Sequence, residues 1–182
     1  MALKCFVLSN EKDHEARVAA AQTFLREQFG NDALTVEEGH KGRLVLNGLG
    51  LEKVPYVSIA PAGEKMLVAV KESPVGLDGE CLKAHEGKRV DYGMLAERFF
   101  SGEEAEYVRD GDTTTDEKDR FFKIWTRKKA YIKYLGKTVA DFPNFSVVEG
   151  DKLLSKVGSV TLRKFSMNFE GSEDYLFAIA GV

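Results

Sequence analysis

Two acids and a row of lysines are the residues whose types and spacing could do chemistry. Asp78 and Glu80 stand two apart in "VGLDGE", so on an extended segment both carboxylates point to one face. Acids placed that way repel unless water or a cation screens them. Oxygen ligands of this kind suit Mg2+, which takes one or two carboxylates beside substrate phosphates. Taken alone, the pair reads first as a solvated turn. The second group lies in "FFKIWTRKKAYIKYLGK", which carries Lys123, Arg127, Lys128, Lys129, Lys133 and Lys137, with no acid between Arg120 and Asp141. A spacing of four is slightly more than one helical turn, so Trp125, Lys129 and Lys133 line one face. Like charges at that spacing cost a little stability, and a facing anion such as phosphate would offset it. Taken alone, this stretch reads first as a solvated basic helix. Together the two groups make a site, with acids for a metal and lysines for phosphates.

Both groups need elements to carry them. A first strand is read at the start of the chain. Asp13 can cap a helix from His14 to about Phe29, with Val18, Ala21, Leu25 and Phe29 on one stripe and Gly30 as its stop. "GRLVLNG" and "YVSIAPAG" read as strands ending in turns, and "EKMLVAVKESPVGLDGE" as two strands around a turn at Ser73-Pro74. A helical region begins near Asp91, restarts at Ser101 with Glu104 completing a capping box, and is followed by a polar connector. Thr115 is the expected cap of a long helix from Asp116 to Leu135, closed by Gly136. The tail returns to strands in "NFSVVEG", "VTLRKFSMNFEG" and "DYLFAIAG". "GEKMLVAV" at Gly63–Val70 weakly echoes "SEDYLFAI" at Ser172–Ile179, as two related halves would.

Composition narrows the partners. With 43% apolar and 30% charged residues, the 182-residue chain is an ordinary globular protein, of one domain or two small parts sharing a core. A formal charge of -3 argues against a general nucleic-acid binder, so charge must be read locally. No apolar run is long enough to span a bilayer, and the start lacks the features of a signal peptide. Cys5 and Cys81 are far apart and read as reduced thiols of a cytoplasmic protein. His14, His40 and His85 have no ligand spacing, and His85 is expected on the surface although it lies five residues after Glu80. Trp125 is expected to be a packed aromatic.

"VGLDGE", "RFFSGEEAEYV" and "FFKIWTRKKAYIKYLGK", in that order, resemble the signature of the 4'-phosphopantetheinyl transferase superfamily. The pattern is Gly-x-Asp-x-Glu, followed downstream by Trp-Thr/Ser-x-Lys-Glu-x-x-x-Lys. It falls on Gly76 to Glu80 and on Trp125 to Lys133. More faintly, Arg17 and Arg26, "GRL" at Gly42–Leu44 and the closing "DYLFAIAG" are similar to the family, with a front end shorter than in its two-lobed monomeric members. The resemblance implies an α+β fold of two similar lobes in pseudo-two-fold arrangement, 1–74 and 75–182, each a helix packed on an antiparallel sheet, with the ligand cleft between them. It implies transfer of phosphopantetheine from coenzyme A to a serine of an acyl or peptidyl carrier protein by a monomer, with no nucleic acid or membrane involved. By position, Asp78 and Glu80 become Mg2+ ligands, Lys133 the phosphate-contacting lysine, Lys128 a second basic contact, and Arg17 and Arg43 contacts of the nucleotide's phosphate.

Two positions depart from the pattern. The family's Lys-Glu is Lys128-Lys129 here, so a lysine replaces the acid that binds metal or takes the serine proton. The family's Ser-His-Ser-Gly aligns with Ala60-Pro61-Ala62-Gly63, so Pro61 replaces the histidine expected at the diphosphate. Gly79 between the acids is a milder change, of flexibility. The Lys129 ammonium is expected beside Asp78 and Glu80, partly replacing Mg2+. The competing reading is a degenerate member that binds coenzyme A or a carrier without transfer. A nucleic-acid module built on the basic helix would need strongly salt-dependent binding.

Overall fold

Most of the strands divide into two antiparallel sheets drawn from successive stretches of chain in the computed structural model, which describes residues 1–181. The first sheet holds β1 (Lys4–Ser9), β2 (Thr35–Glu38), β3 (Leu44–Asn47), β4 (Tyr56–Ala62) and β5 (Lys65–Lys71) in the order β1-β5-β4-β3-β2. Further on come β6 (Gly76–Cys81), β7 (Val148–Glu149), β8 (Lys152–Leu153), β9 (Lys156–Val157), β10 (Val160–Phe165) and β11 (Tyr175–Ala180). The second sheet has the order β6-β11-β10-β9, and β7 pairs with β8 apart from it. The fold is therefore α+β with antiparallel sheets, as expected.

The two sheets repeat one topology. In each, the first strand lies beside the last, then come the next-to-last and the one before it: β1-β5-β4-β3 and β6-β11-β10-β9. A helix follows the first strand in the first half, α1 (His14–Phe29). In the second half, α2 (Tyr92–Phe99) and α3 (Gly102–Arg109) precede the long α4 (Thr114–Leu135). The echoed segments "GEKMLVAV" and "SEDYLFAI" fall on β5 and β11, which hold equivalent places.

Local chemistry sets the helix ends. Asp13 accepts from the Ala16 amide at 2.9 Å, and Gly30 stops α1 in the left-handed conformation at φ 60°. Ser101 and Glu104 form the expected capping box on α3. The cap of α4 is Thr113, not Thr115: the Thr113 backbone is extended and its hydroxyl accepts from the Asp116 amide at 3.1 Å. β2 was not anticipated, since "TVEE" has one buried residue, Val36, and no long alternation. Cys5 and Cys81 are free thiols, and burial pushes the Cys5 thiol up to about 11. No helix among the described residues is long and apolar enough to cross a membrane.

An aromatic core holds α4 in place. Phe121 stacks on Phe100 and Trp125 at ring distances of 5.0 and 5.7 Å, and Trp125 meets Phe142 edge-on at 5.4 Å. Beside this core lies a fully buried ion pair. The Lys128 ammonium donates to Glu104 Oε2 and to the Phe145 carbonyl, both at 2.6 Å, while Glu104 Oε1 accepts from the Val147 amide at 2.8 Å. The ammonium also lies 4.2 Å from the Phe145 ring centre. The pair joins α3, α4 and the segment before β7.

Removing one partner of such a pair strands a charge in the core. Lys128→Met should therefore lower unfolding free energy by about 3–5 kcal/mol in urea titrations. A loss under ~1 kcal/mol would contradict the tight coupling drawn here.

Candidate active site

Alternation along β6 sends Asp78 and Glu80 toward α4 and Leu77 and Gly79 toward the apolar cluster between the sheets. α4 packs on β6 at backbone distance, because a Cβ at Gly76 would lie 1.9 Å from the Ala130 carbonyl oxygen. Gly79 has a packing reason rather than one of flexibility: its Cβ would lie 2.7 Å from the Phe177 ring, its cross-strand partner on β11.

The close approach of α4 brings Lys133 onto the acid pair. Its ammonium donates to Asp78 Oδ1 at 2.8 Å, to the Leu77 carbonyl at 2.9 Å and to the Ile59 carbonyl at 3.0 Å. These acceptors take all three ammonium protons. They lie on β6 and β4, so one side chain ties the two halves together. Ser58 adds a second tie, its hydroxyl accepting from the Leu77 amide at 2.9 Å. Burial pushes the Lys133 ammonium below the usual lysine range; Asp78 opposes this and the Lys129 charge adds to it.

Glu80 is also occupied. His85 Nε2 lies 2.9 Å from Glu80 Oε1, and its ring packs on Phe122 at 4.4 Å. His85 is thus not the surface histidine expected from its spacing, because the turn after β6 folds it back onto the strand. Burial pushes the Glu80 carboxyl up, against the lowering effect of His85.

Beside this network, between β4 and the end of α4, lies a cleft of about 450 Å3. Arg17, Lys41, Arg43, Lys129, Lys133 and Lys137 line it, and no described acid does. Arg17 is steadied by Asn10, whose Oδ1 accepts from its Nε at 2.9 Å. The Arg43 guanidinium lies 5.6 Å from the Tyr56 ring centre, and its buried Nε has no partner among the described residues. An unpaired buried donor in a cationic cleft fits an incoming anion. Gly136 shapes the rim: it ends α4 at φ 66°, and a Cβ there would lie 2.2 Å from the Lys41 carbonyl oxygen. That contact sets the turn bearing Lys41 and Arg43 against the end of α4.

The structure therefore gathers Arg17, Arg43, Pro61, Lys129 and Lys133 around one cleft. Pro61 is tolerated because β3 pairs with β4 only at Tyr56 and Val57. Lys128 is elsewhere. Its ammonium is buried on Glu104 and cannot meet a phosphate in the cleft, which corrects the second basic contact expected there. Lys129 lines the cleft with no hydrogen bond or ion pair among the described residues, and the ammonium on Asp78 belongs to Lys133. Sequence reasoning missed Lys41 and His14 in the lining; only the basic "HKGR" turn hinted at Lys41.

A Mg2+ centre of three carboxylates does not fit these residues. Asp78 and Glu80 each engage a nitrogen of the chain, position 129 is a lysine, and no three metal-ligating side chains gather among the described residues.

Comparison with known proteins matches residues 74–180 to the 4'-phosphopantetheinyl transferase superfamily. The chain is 32% identical over 108 residues to "4'-phosphopantetheinyl transferase psf-1" of Bacillus pumilus, a match covering 59% of this chain and 42% of that protein.

Lys133→Met would leave Asp78, only 3% exposed, without its charge partner and two carbonyls without donors. The expected cost is about 3 kcal/mol in denaturant unfolding. A loss under ~1 kcal/mol would show that Lys133 is not the tie between the halves.

Proposed function

The chain belongs to the 4'-phosphopantetheinyl transferase superfamily, and from that premise we propose that it transfers the phosphopantetheine arm of coenzyme A to a serine of an acyl or peptidyl carrier protein. The observation that carries this reading is the cleft lined by lysines and arginines with no acid among its described residues, Arg43 among them with a buried, unpartnered Nε. In this reading a diphosphate lies between Arg17 and Arg43 on one wall and Lys129 on the other. The serine oxygen bonds to the phosphorus bearing the pantetheine arm, and the bond to the adenosine-side phosphate breaks. Cations fixed around the leaving phosphate stabilise the charge that develops on it, the main lever for phosphoryl transfer. A charged Lys129 cannot take the serine proton, which passes to the leaving phosphate instead. No step runs through Mg2+, because the acid pair is already engaged by the chain's own nitrogens. The chain acts as a cytoplasmic monomer, and an acidic carrier would be steered by the basic end of α4.

Lysine at position 129 also favours a second reading, in which coenzyme A or a carrier is bound and nothing is transferred. Intact-mass measurement of several apo carrier proteins, after incubation with coenzyme A and the chain, separates the two. Transfer predicts a gain of one phosphopantetheine unit. Unchanged carriers, when an active transferase modifies the same ones, would leave binding only. Transfer, and binding of coenzyme A without transfer, both require Arg43→Ala to weaken coenzyme A binding by about 10–100-fold, the value of a hydrogen-bonded charged contact, in calorimetric titrations. An unchanged affinity would remove the cleft as the coenzyme A site.

A further inference from the structure

We infer that two lysines have taken over the charge work around the acid pair: Lys133 is the permanent counter-ion of Asp78 where a metal would otherwise lie, and Lys129 is the free ammonium that meets the diphosphate. This reverses the roles that position in the motif implies for them, and its second half rests on the coenzyme A reading above.

Geometry fixes the first half. All three protons of the Lys133 ammonium are committed, to Asp78, Leu77 and Ile59 at 2.8, 2.9 and 3.0 Å. To donate to a phosphate, Lys133 would have to give up Asp78 or a strand carbonyl. Asp78 is 3% exposed. Mg2+ dehydrates reluctantly, keeps several waters and demands near-octahedral ligands; a carboxylate so enclosed leaves no space for that shell. Glu80 turns one oxygen to His85, itself packed on Phe122. Charge agrees with geometry. Asp78 and Glu80 are balanced by Lys133 and Lys129 before His85 is counted, so a dication would find no net negative charge.

Lys129 is the complement. It lies one turn before Lys133 on the same face of α4, half-buried in the cleft wall, with no hydrogen bond or ion pair among the described residues. It is close enough to Glu80 and Lys133 to act on both electrostatically. A lysine at this position therefore removes a metal ligand and adds a phosphate contact in a single change.

Manganese titration followed by electron paramagnetic resonance tests the acid pair without any coenzyme. The free Mn2+ signal should be unaffected by the wild-type chain at millimolar metal; sub-millimolar binding that Asp78→Asn abolishes would overturn the first half. Calorimetry with coenzyme A, in EDTA and in Mg2+, tests the second. Wild-type affinity should agree within about twofold between the buffers, and Lys129→Met should weaken it by about 10–100-fold in both. Lys129→Glu should weaken it at least as much in both buffers, with no recovery in Mg2+, because Lys133 still occupies Asp78. A wild-type affinity that falls about tenfold in EDTA, or a Lys129→Met variant that binds normally, would overturn it. No binding in either buffer would overturn the Lys129 role together with the coenzyme A reading, while the Mn2+ result still decides the acid pair. Circular dichroism of each variant checks that it is folded.

Discussion

One ammonium group organises the centre of this molecule. Lys133 donates to a carbonyl on β4, a carbonyl on β6 and the enclosed carboxylate of Asp78. A lysine placed so deeply is tolerated only because each proton has an acceptor and the charge has a partner. The arrangement needs α4 to lie against β6 closer than side chains normally permit. Gly76 allows it, since any larger residue would meet the Ala130 carbonyl. Remove the glycine and the ammonium could not reach its acceptors; remove the ammonium and the seam between the sheets would lose its main polar tie.

The cleft follows from that seam. With α4 fixed over β6 and β4, its last turns overhang the first sheet, and Gly136 lets the Lys41 turn close against the helix end. Cations from three places then face one another: Arg17 on α1, Lys41 and Arg43 on the turn before β3, Lys129 and Lys137 on and after α4. No described acid lines the cleft in a chain of net charge -3, and the acids nearest its centre are engaged. Asp78 is held by Lys133, Glu80 lies beside His85, and Glu104 is held by the buried Lys128. Lys137 on the rim also meets Asp141 at 3.8 Å, which leaves Arg17, Lys41, Arg43 and Lys129 as the lining cations without an ion pair among the described residues.

Much of this frame was legible in the sequence. Asp13, Gly30, Ser101, Glu104 and Gly136 are residues whose local chemistry acts within a few positions of the chain, so helix ends could be read from them. The strands β4, β5 and β11 were legible from their apolar runs, β6 from the turn at Ser73-Pro74 before it, and the echo between β5 and β11 marked the repeated topology. What was hidden depends on contacts distant in sequence. Neighbouring helical residues point about 100° apart, so in "RKKAYIK" one lysine must enter the core and the next the cleft. Nothing local says that Lys128 finds Glu104 or that Lys133, not Lys129, finds Asp78. The need for glycine at Gly76 and Gly79 was equally unreadable, because it comes from Ala130 and Phe177. His85 reaches Glu80 only through the turn that follows β6.

A crystal structure with coenzyme A, grown in EDTA, tests the central claim most directly. The diphosphate should lie within hydrogen-bonding distance of Lys129 and Arg43, with Lys133 still donating to Asp78 and to both strands. A diphosphate bound outside this cleft, or one that has drawn Lys133 away from Asp78, would contradict it.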